Sequence, residues 1–255
     1  MEALRLDGLS KSYGALSILK DVSFSLQEGE HVGIIGPNGA GKTTLINAIS
    51  GEFPVNSGRV HLWGEDITNL TQYHRVHKGL SRSYQITRVF NRLTILQNTL
   101  IALQGKLPSQ YHMHRSAMAY PDVNAKGEEL LTSLGLWEKK DRAASAISHG
   151  ERRKLEIALS LASNPRILVL DEPSAGLDVE EVGDFITMIR RMTKDITLLF
   201  SAHDMDVVFG LAKRIVVLYY GQFIADGTPE EIRANPKVQE IYLGAEDEGQ
   251  HVTVR

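Results

Sequence analysis

Residues 31–50 read HVGIIGPNGAGKTTLINAIS, and this stretch decides the fold. HVGII is a short apolar run rich in β-branched residues, the character of a buried strand. It runs into a turn built of Gly36, Pro37, Asn38, Gly39, Ala40 and Gly41. Lys42, Thr43 and Thr44 then open a helix that Gly51 closes. The spacing fits G-x-x-x-x-G-K-[ST]. Its glycines let backbone N–H groups converge on phosphate oxygens, because no Cβ blocks the approach. Lys42 is expected to reach the β- and γ-phosphates as a point charge, and Thr43 to offer its hydroxyl to Mg²⁺. A chance glycine-rich turn needs neither the strand before it nor the helix after it, and both are in place.

Working outward, ILVLDEP (167–173) opens on a continuous apolar run, ILVLD (167–171), as expected of a parallel strand buried on both faces. It ends in Asp171 at the carboxyl edge of the sheet, where ligands of α/β proteins bind. There Asp171 fits a Mg²⁺ partner, and Glu172 is placed to polarise an attacking water. A charged turn after a strand is common by itself; behind the phosphate loop the catalytic reading outweighs it. ITLLF (196–200) and RIVVLYY (214–220) repeat the strand character, and GQFIADGT (221–228) reads as a hairpin partner. Before the loop, LRLDGL (4–9) and VSFSL (22–26) read as strands; after it come GRVHLW (58–63) and a short strand at 80–84. From about 94 to 164 the pattern is helical, with GKLPSQYHMHRSAMAYPDV (105–123) a polar, turn-rich connection inside it. PEEIRA (229–234) and PKVQEIYL (236–243) read as closing helices. The expected fold is α/β. A P-loop NTPase core holds a mixed sheet with N-terminal antiparallel strands, and an α-helical subdomain is inserted in it. Residues 1–243 form one domain, with core 1–88 and 166–243 and helical part about 89–165. Residues 244–255 are a polar tail expected to be disordered.

SAISHGERRK (145–154) raises a separate question. Ser148 and Glu151 have the S-x-x-E spacing of a capping box, so the plain reading is a well-capped surface helix. The sharper reading is a second anion site, since a helix start presents free N–H groups and partial positive charge.

The composition excludes several alternatives. The 255 residues carry a formal net charge of -3, which gives no electrostatic case for nucleic acid or an acidic membrane surface. Cysteine is absent, which removes disulfides and thiolate metal sites. No apolar run has the length of a membrane span, and MEALRLDGLSKSYG lacks the apolar core of a signal peptide. A cytoplasmic protein is expected, touching a membrane only through a partner.

In order, these motifs make the chain similar to the nucleotide-binding subunits of ABC transporters, over residues 4–243. The resemblance implies a role for each marker. Tyr13, in SKSYG, stacks on adenine; Gly36–Thr43 is the Walker A loop; Gln85 lies near Mg²⁺ and the attacking water. ISHGE (147–151), with Ser148, His149, Gly150 and Glu151, is the signature motif. Asp171 and Glu172 close Walker B, SAGLD (174–178) with Asp178 is the D-loop, and His203 in SAHD contacts the γ-phosphate. Taken singly, Tyr13 could be a strand-end aromatic, Gln85 a solvated loop residue and His203 a satisfied turn histidine. The resemblance also answers the question of the second anion site. Two such subunits pack head to tail, each ATP lying between one P-loop and the partner's signature. The chain departs from the commonest signature, Leu-Ser-Gly-Gly-Gln, at Ile147, His149 and Glu151. A histidine near the partner's phosphate would make the closed dimer pH-sensitive.

Stretches outside the catalytic motifs, above all GTPEEIRANPKVQEIYLG (227–244), resemble the ATPases of branched-chain amino acid importers. Ser201 departs from the acidic residue more often found there. Urea or amide import, lipopolysaccharide export and a non-transport ABC ATPase acting on nucleic acid or ribosomes are the alternatives. The importer reading implies ATP and Mg²⁺, a second ATPase subunit (identical or homologous), permease subunits and, indirectly, an extracytoplasmic solute-binding protein. It implies no nucleic acid, and a peripheral place on the cytoplasmic membrane face. Arg88, Val89 and Phe90 are expected to help form the groove that receives a permease helix.

Overall fold

Two sheets organise the described residues, 1–83, 89–105 and 120–241, of the computed structural model. Strands β1 (Glu2–Tyr13) and β2 (Leu16–Gln27) form a hairpin, turning at Gly14 with φ 59°, which glycine adopts without cost. β3 (His31–Ile35) follows and is buried throughout. Helix α1 (Lys42–Ser50) starts from Gly41 and stops at Gly51, whose φ of 77° turns its N–H back onto the Ala48 and Asn47 carbonyls. β4 (Ser57–Leu62), β5 (Glu65–Asp66), α2 (Gln72–His77) and β6 (Leu80–Arg82) come next.

The helical stretch contains α3 (Ile95–Gln104), α4 (Pro121–Ser133) and α5 (His149–Ala162). Thr94 and Gln97 make a capping box for α3, as Ser148 and Glu151 do for α5. α4 begins earlier than the periodicity suggests. Pro121, whose fixed φ suits a first helical position, starts it inside the stretch read as a connection. The rest of that connection, 106–119, lies outside the described residues, as do 84–88 and the tail. After it come β7 (Ile167–Asp171), α6 (Val179–Met192), β8 (Thr197–Ser201), α7 (Met205–Leu211), β9 (Arg214–Tyr219), β10 (Gln222–Gly227) and α8 (Pro229–Ala234).

The N-terminal strands make an antiparallel sheet in the order β2-β1-β4-β5, and the second sheet runs β10-β9-β3-β8-β7-β6. Within it β9, β3, β8, β7 and β6 are parallel, and β10 closes one edge antiparallel to β9. The parallel strands are apolar on both sides because both sides are covered. Ile167 and Val169 face α1 and the antiparallel sheet, in one buried cluster with Leu45 and Ile46. Leu168 and Leu170 face the other way, joining Leu155 of α5, Phe185 of α6 and Val208 of α7. That second cluster continues unbroken into Ile95 and Leu100 of α3 and Leu131 of α4, so the helical stretch shares its core with the sheet. The arrangement sets the carboxyl ends of β3, β7 and β8 side by side.

Candidate active site

The loop after β3 depends on glycine at its first position. Gly36 has φ 154°, and a Cβ there would lie 2.1 Å from the Leu218 carbonyl oxygen. Gly39 (φ 79°) and Gly41 (φ 106°) complete the turn, and Gly41 caps α1 without a side chain, leaving its first N–H groups to the loop's concavity. Lys42 is buried and donates to the carbonyls of Gly36 (2.6 Å) and Pro37 (3.1 Å). Burial pushes its ammonium below the ordinary lysine value, against the pull of the Glu172 and Asp171 carboxylates. Asn38, Gly39, Ala40, Gly41, Lys42, Thr43 and Thr44 line a cleft of about 230 Å³ together with Ile18, Glu172 and His203.

Asp171 ends β7, fully buried, and its two oxygens are divided among three elements. Oδ1 accepts from the Ser201 hydroxyl (2.7 Å) at the end of β8 and faces the Thr43 hydroxyl at 3.5 Å. Oδ2 pairs with the Arg82 guanidinium at 3.2 Å, which also donates to Asn47 of α1. Glu172 follows in the left-handed region, φ 46°. For a residue with a Cβ this costs about 1–3 kcal/mol and persists only where the surroundings impose it. Here they do. The Glu172 N–H donates to the Ser201 carbonyl (3.1 Å) and hydroxyl (3.0 Å). Arg153 of α5 takes the following carbonyls, Nη2 to Glu172 O at 2.5 Å and Nε to Pro173 O at 2.7 Å. The Glu172 carboxylate is thereby turned to His203, with Nε2 2.5 Å from Oε1.

Tyr13 does not line the cleft. It stands at the end of β1, half exposed, edge-on to Phe53 at 5.9 Å, with Lys11 Nζ 5.1 Å from its ring centre. The start of α5 lies elsewhere again; among the described residues no hydrogen bond joins 148–151 to the phosphate loop. There the Ser148 hydroxyl accepts from the Glu151 N–H (3.2 Å), and Glu151 accepts from the Ser148 N–H (3.0 Å) and from Lys139. The Lys139 bond, then the Ser148 bond, hold the Glu151 carboxyl below its ordinary range. The His149 ring turns to its own chain: Nε2 lies 3.1 Å from the Ala175 carbonyl, against Gly176. Asp178 caps α6 through Glu181. Gln85 and Arg88 fall outside the described residues.

Sequence reasoning missed the supports of Asp171. Arg82 and Asn47 carry no signal of their own. Ser201 stood out only as a departure, and Arg153 was not singled out. Its signal was position: Gly150, Arg153, Ile157 and Ser160 fall on one buried stripe of α5.

Chemically, convergent N–H groups and an ammonium suit a polyphosphate. The Thr43 hydroxyl beside the Asp171 carboxylate is a hard-oxygen pair that fits Mg²⁺ shared with phosphates rather than a protein cage. Among the described residues no group of three or more His, Cys, Asp or Glu side chains forms such a cage.

Comparison with known proteins agrees with this chemistry. The ABC transporter family model matches residues 19–175, and a second model, branched-chain amino acid ATP-binding cassette transporter, matches residues 224–248. The chain is 37% identical over 254 residues to the high-affinity branched-chain amino acid transport ATP-binding protein BraF of Pseudomonas aeruginosa, covering 94% of this chain and 97% of that one. It is 36% identical over 250 residues to LivG of Salmonella typhimurium, a protein of the same description, with the same 94% and 97% coverage. A crystal structure of a nucleotide-free ATP-binding cassette from an ABC transporter superposes with a TM-score of 0.84 at 34% identity, covering 95% of this chain and 99% of that one.

Proposed function

The chain belongs to the ABC transporter family as an ATP-binding, ATP-hydrolysing subunit, and from that premise we propose that it powers import of branched-chain or related amino acids through a separate permease. The observation that carries the solute class is the match at residues 224–248, which lie outside the phosphate-binding residues.

In this reading ATP enters the cleft with its triphosphate on the N–H groups of Gly36–Thr44 and on Lys42, and its base on Tyr13. Thr43 and Asp171, with Gln85, hold Mg²⁺, which neutralises phosphate charge. Arg82 and Ser201 keep the Asp171 oxygens aimed at that place. Glu172 takes the proton of the attacking water, and His203 orients water and γ-phosphate; their contact across the β7 and β8 ends supports the pairing. The N-terminus of α5, with Ser148, His149, Gly150 and Glu151, faces the γ-phosphate of an ATP held by a second ATPase subunit, and Asp178 lines the same seam. That the start of α5, a helix N-terminus, makes no hydrogen bond to its own phosphate loop among the described residues supports the head-to-tail arrangement. Residues 1–243 work as one domain, with core 1–88 and 166–243 and the helical part about 89–165.

An apolar groove of about 420 Å³ between α2, α3 and α5, lined by Tyr73, Val76, Val89, Phe90, Ile101 and Leu159, supports docking of a permease helix. Among the described residues no helix is long and apolar enough to cross a membrane; in this reading membrane association goes through that partner. Affinity capture of the tagged chain from detergent-solubilised membranes, with partners identified by mass, tests the reading. A polytopic permease with a second ATPase subunit, and leucine uptake lost when Glu172→Gln replaces the native chain, are expected. Capture without a multi-span protein, or uptake of leucine unchanged, overturns it.

A further inference from the structure

We propose that Arg153 is a positioning residue through which helix α5 sets the carboxylate of Glu172, so that the orientation of α5 is reported directly to the hydrolytic step. The inference rests on Glu172 acting as base.

Arg153 is buried, and every nitrogen of its guanidinium is engaged. Nε donates to Pro173 O (2.7 Å), Nη2 to Glu172 O (2.5 Å) and Asp171 O (3.2 Å), and Nη1 to the Glu156 carboxylate (2.6 Å). Glu156, equally buried and one turn along α5, fixes the plane of the fork. The carbonyls held are those of Glu172, which lies in the left-handed region at φ 46°, and of its two chain neighbours. A strained residue keeps its conformation only while its neighbours impose it, so loosening the fork lets the carboxylate swing from His203. The same helix begins, less than two turns earlier, with the Ser148–Glu151 box. A shift of α5 driven from that end moves the guanidinium and the Walker B turn together, because the tie is made of hydrogen bonds that fail within a fraction of an ångström.

Lysine keeps a charge for Glu156 but cannot span three carbonyls. Arg153→Lys in the full chain is expected to lower kcat for ATP by about tenfold or more while KM stays within about twofold, assayed equally far below each protein's own Tm. Glu156→Gln, which keeps the fork and weakens its anchor, is expected to lower kcat by about threefold at unchanged KM. It serves if Arg153→Lys does not fold. Wild-type kcat in the Arg153→Lys protein, or in Glu156→Gln alone, overturns the inference where Glu172→Gln is inactive. So does a loss carried by KM and Tm together, the mark of a merely structural role. Near-normal turnover in Glu172→Gln instead removes the base assignment on which the inference stands.

Discussion

His203 Nε2 lies 2.5 Å from Glu172 Oε1, a contact that joins the ends of two neighbouring parallel strands across the mouth of the phosphate cleft. It fixes the direction of a carboxylate whose backbone is already held, on a residue that lines the cleft.

Replacing Glu172 with Gln keeps the shape and removes the proton acceptor. Turnover is expected to fall by about 10²–10⁴-fold, the range for loss of a general base, with nucleotide affinity retained. Single-turnover hydrolysis of Mg–ATP measures the first and equilibrium binding the second. In the dimer reading, the variant accumulates as an ATP-bound pair, and light scattering that finds only monomer at high concentration would count against that reading.

Two glycines of the same loop should behave differently. A methyl group at Gly36 meets the Leu218 carbonyl at 2.1 Å, whereas nothing lies within 4 Å of one at Gly39. Gly36→Ala should therefore lose ATP binding outright, since the loop must leave its course. Gly39→Ala meets no protein atom; it carries the left-handed backbone penalty, about 1–2 kcal/mol, and puts a methyl on a residue that lines the cleft, so binding should weaken by about tenfold or more yet stay measurable. Isothermal titration with ATP separates the two.

Arg75 holds the far end of the P-loop helix. It is 2% exposed and donates to the carbonyls of Ala48, Ile49, Thr68 and Leu70, with no carboxylate at hydrogen-bond distance among the described residues. Burial pushes its guanidinium down to about 10. Arg75→Met strands several buried acceptors and should lower unfolding free energy by about 3 kcal/mol. Urea denaturation at constant slope tests this; a loss under about 1 kcal/mol would show that water replaces the guanidinium.

The α5 capping box gives a pH signature. Glu151 is depressed in the folded chain below 4.5, the ordinary glutamate value, first by the Lys139 hydrogen bond. A depressed carboxyl stabilises the fold above its unfolded value, and the contribution drains away as pH falls through the folded one. Glu151→Gln should thus flatten the stability curve below that ordinary value and lower stability at neutral pH. Ser148→Ala removes the cap at every pH, by about 1 kcal/mol. Thermal melts at stepped pH distinguish the two; an acid limb unchanged by Glu151→Gln would discount the Lys139 bond.

Much of this was legible beforehand because the signals are local. A strand, three glycines, Lys42 and Thr43 in fixed spacing leave few conformations open, and ILVLD carries its burial on both faces in its composition. Ser148 and Glu151 were recognised as a capping box from a spacing of three, and the box is formed. What escaped is long-range. The Arg82–Asp171 pair spans 89 residues, and no local pattern says that a strand-end arginine meets a carboxylate there. The contact of the His149 ring with Ala175, 26 residues on, likewise depends on how α5 and the 174–178 turn pack.

The strand order has a consequence for biosynthesis. β3, which launches the phosphate loop, pairs with no strand near it in the chain; its flanks are β8 and β9. A hydrogen bond just upstream, Gly29 N–H to Thr197, already spans 168 residues. On the ribosome the N-terminal hairpin can close early, but the loop's supporting strand waits, unpaired along both edges and apolar on both faces, until the last third of the polypeptide emerges. Nascent chains arrested before about residue 200 should therefore be protease-sensitive and a client for chaperones, as high contact order implies.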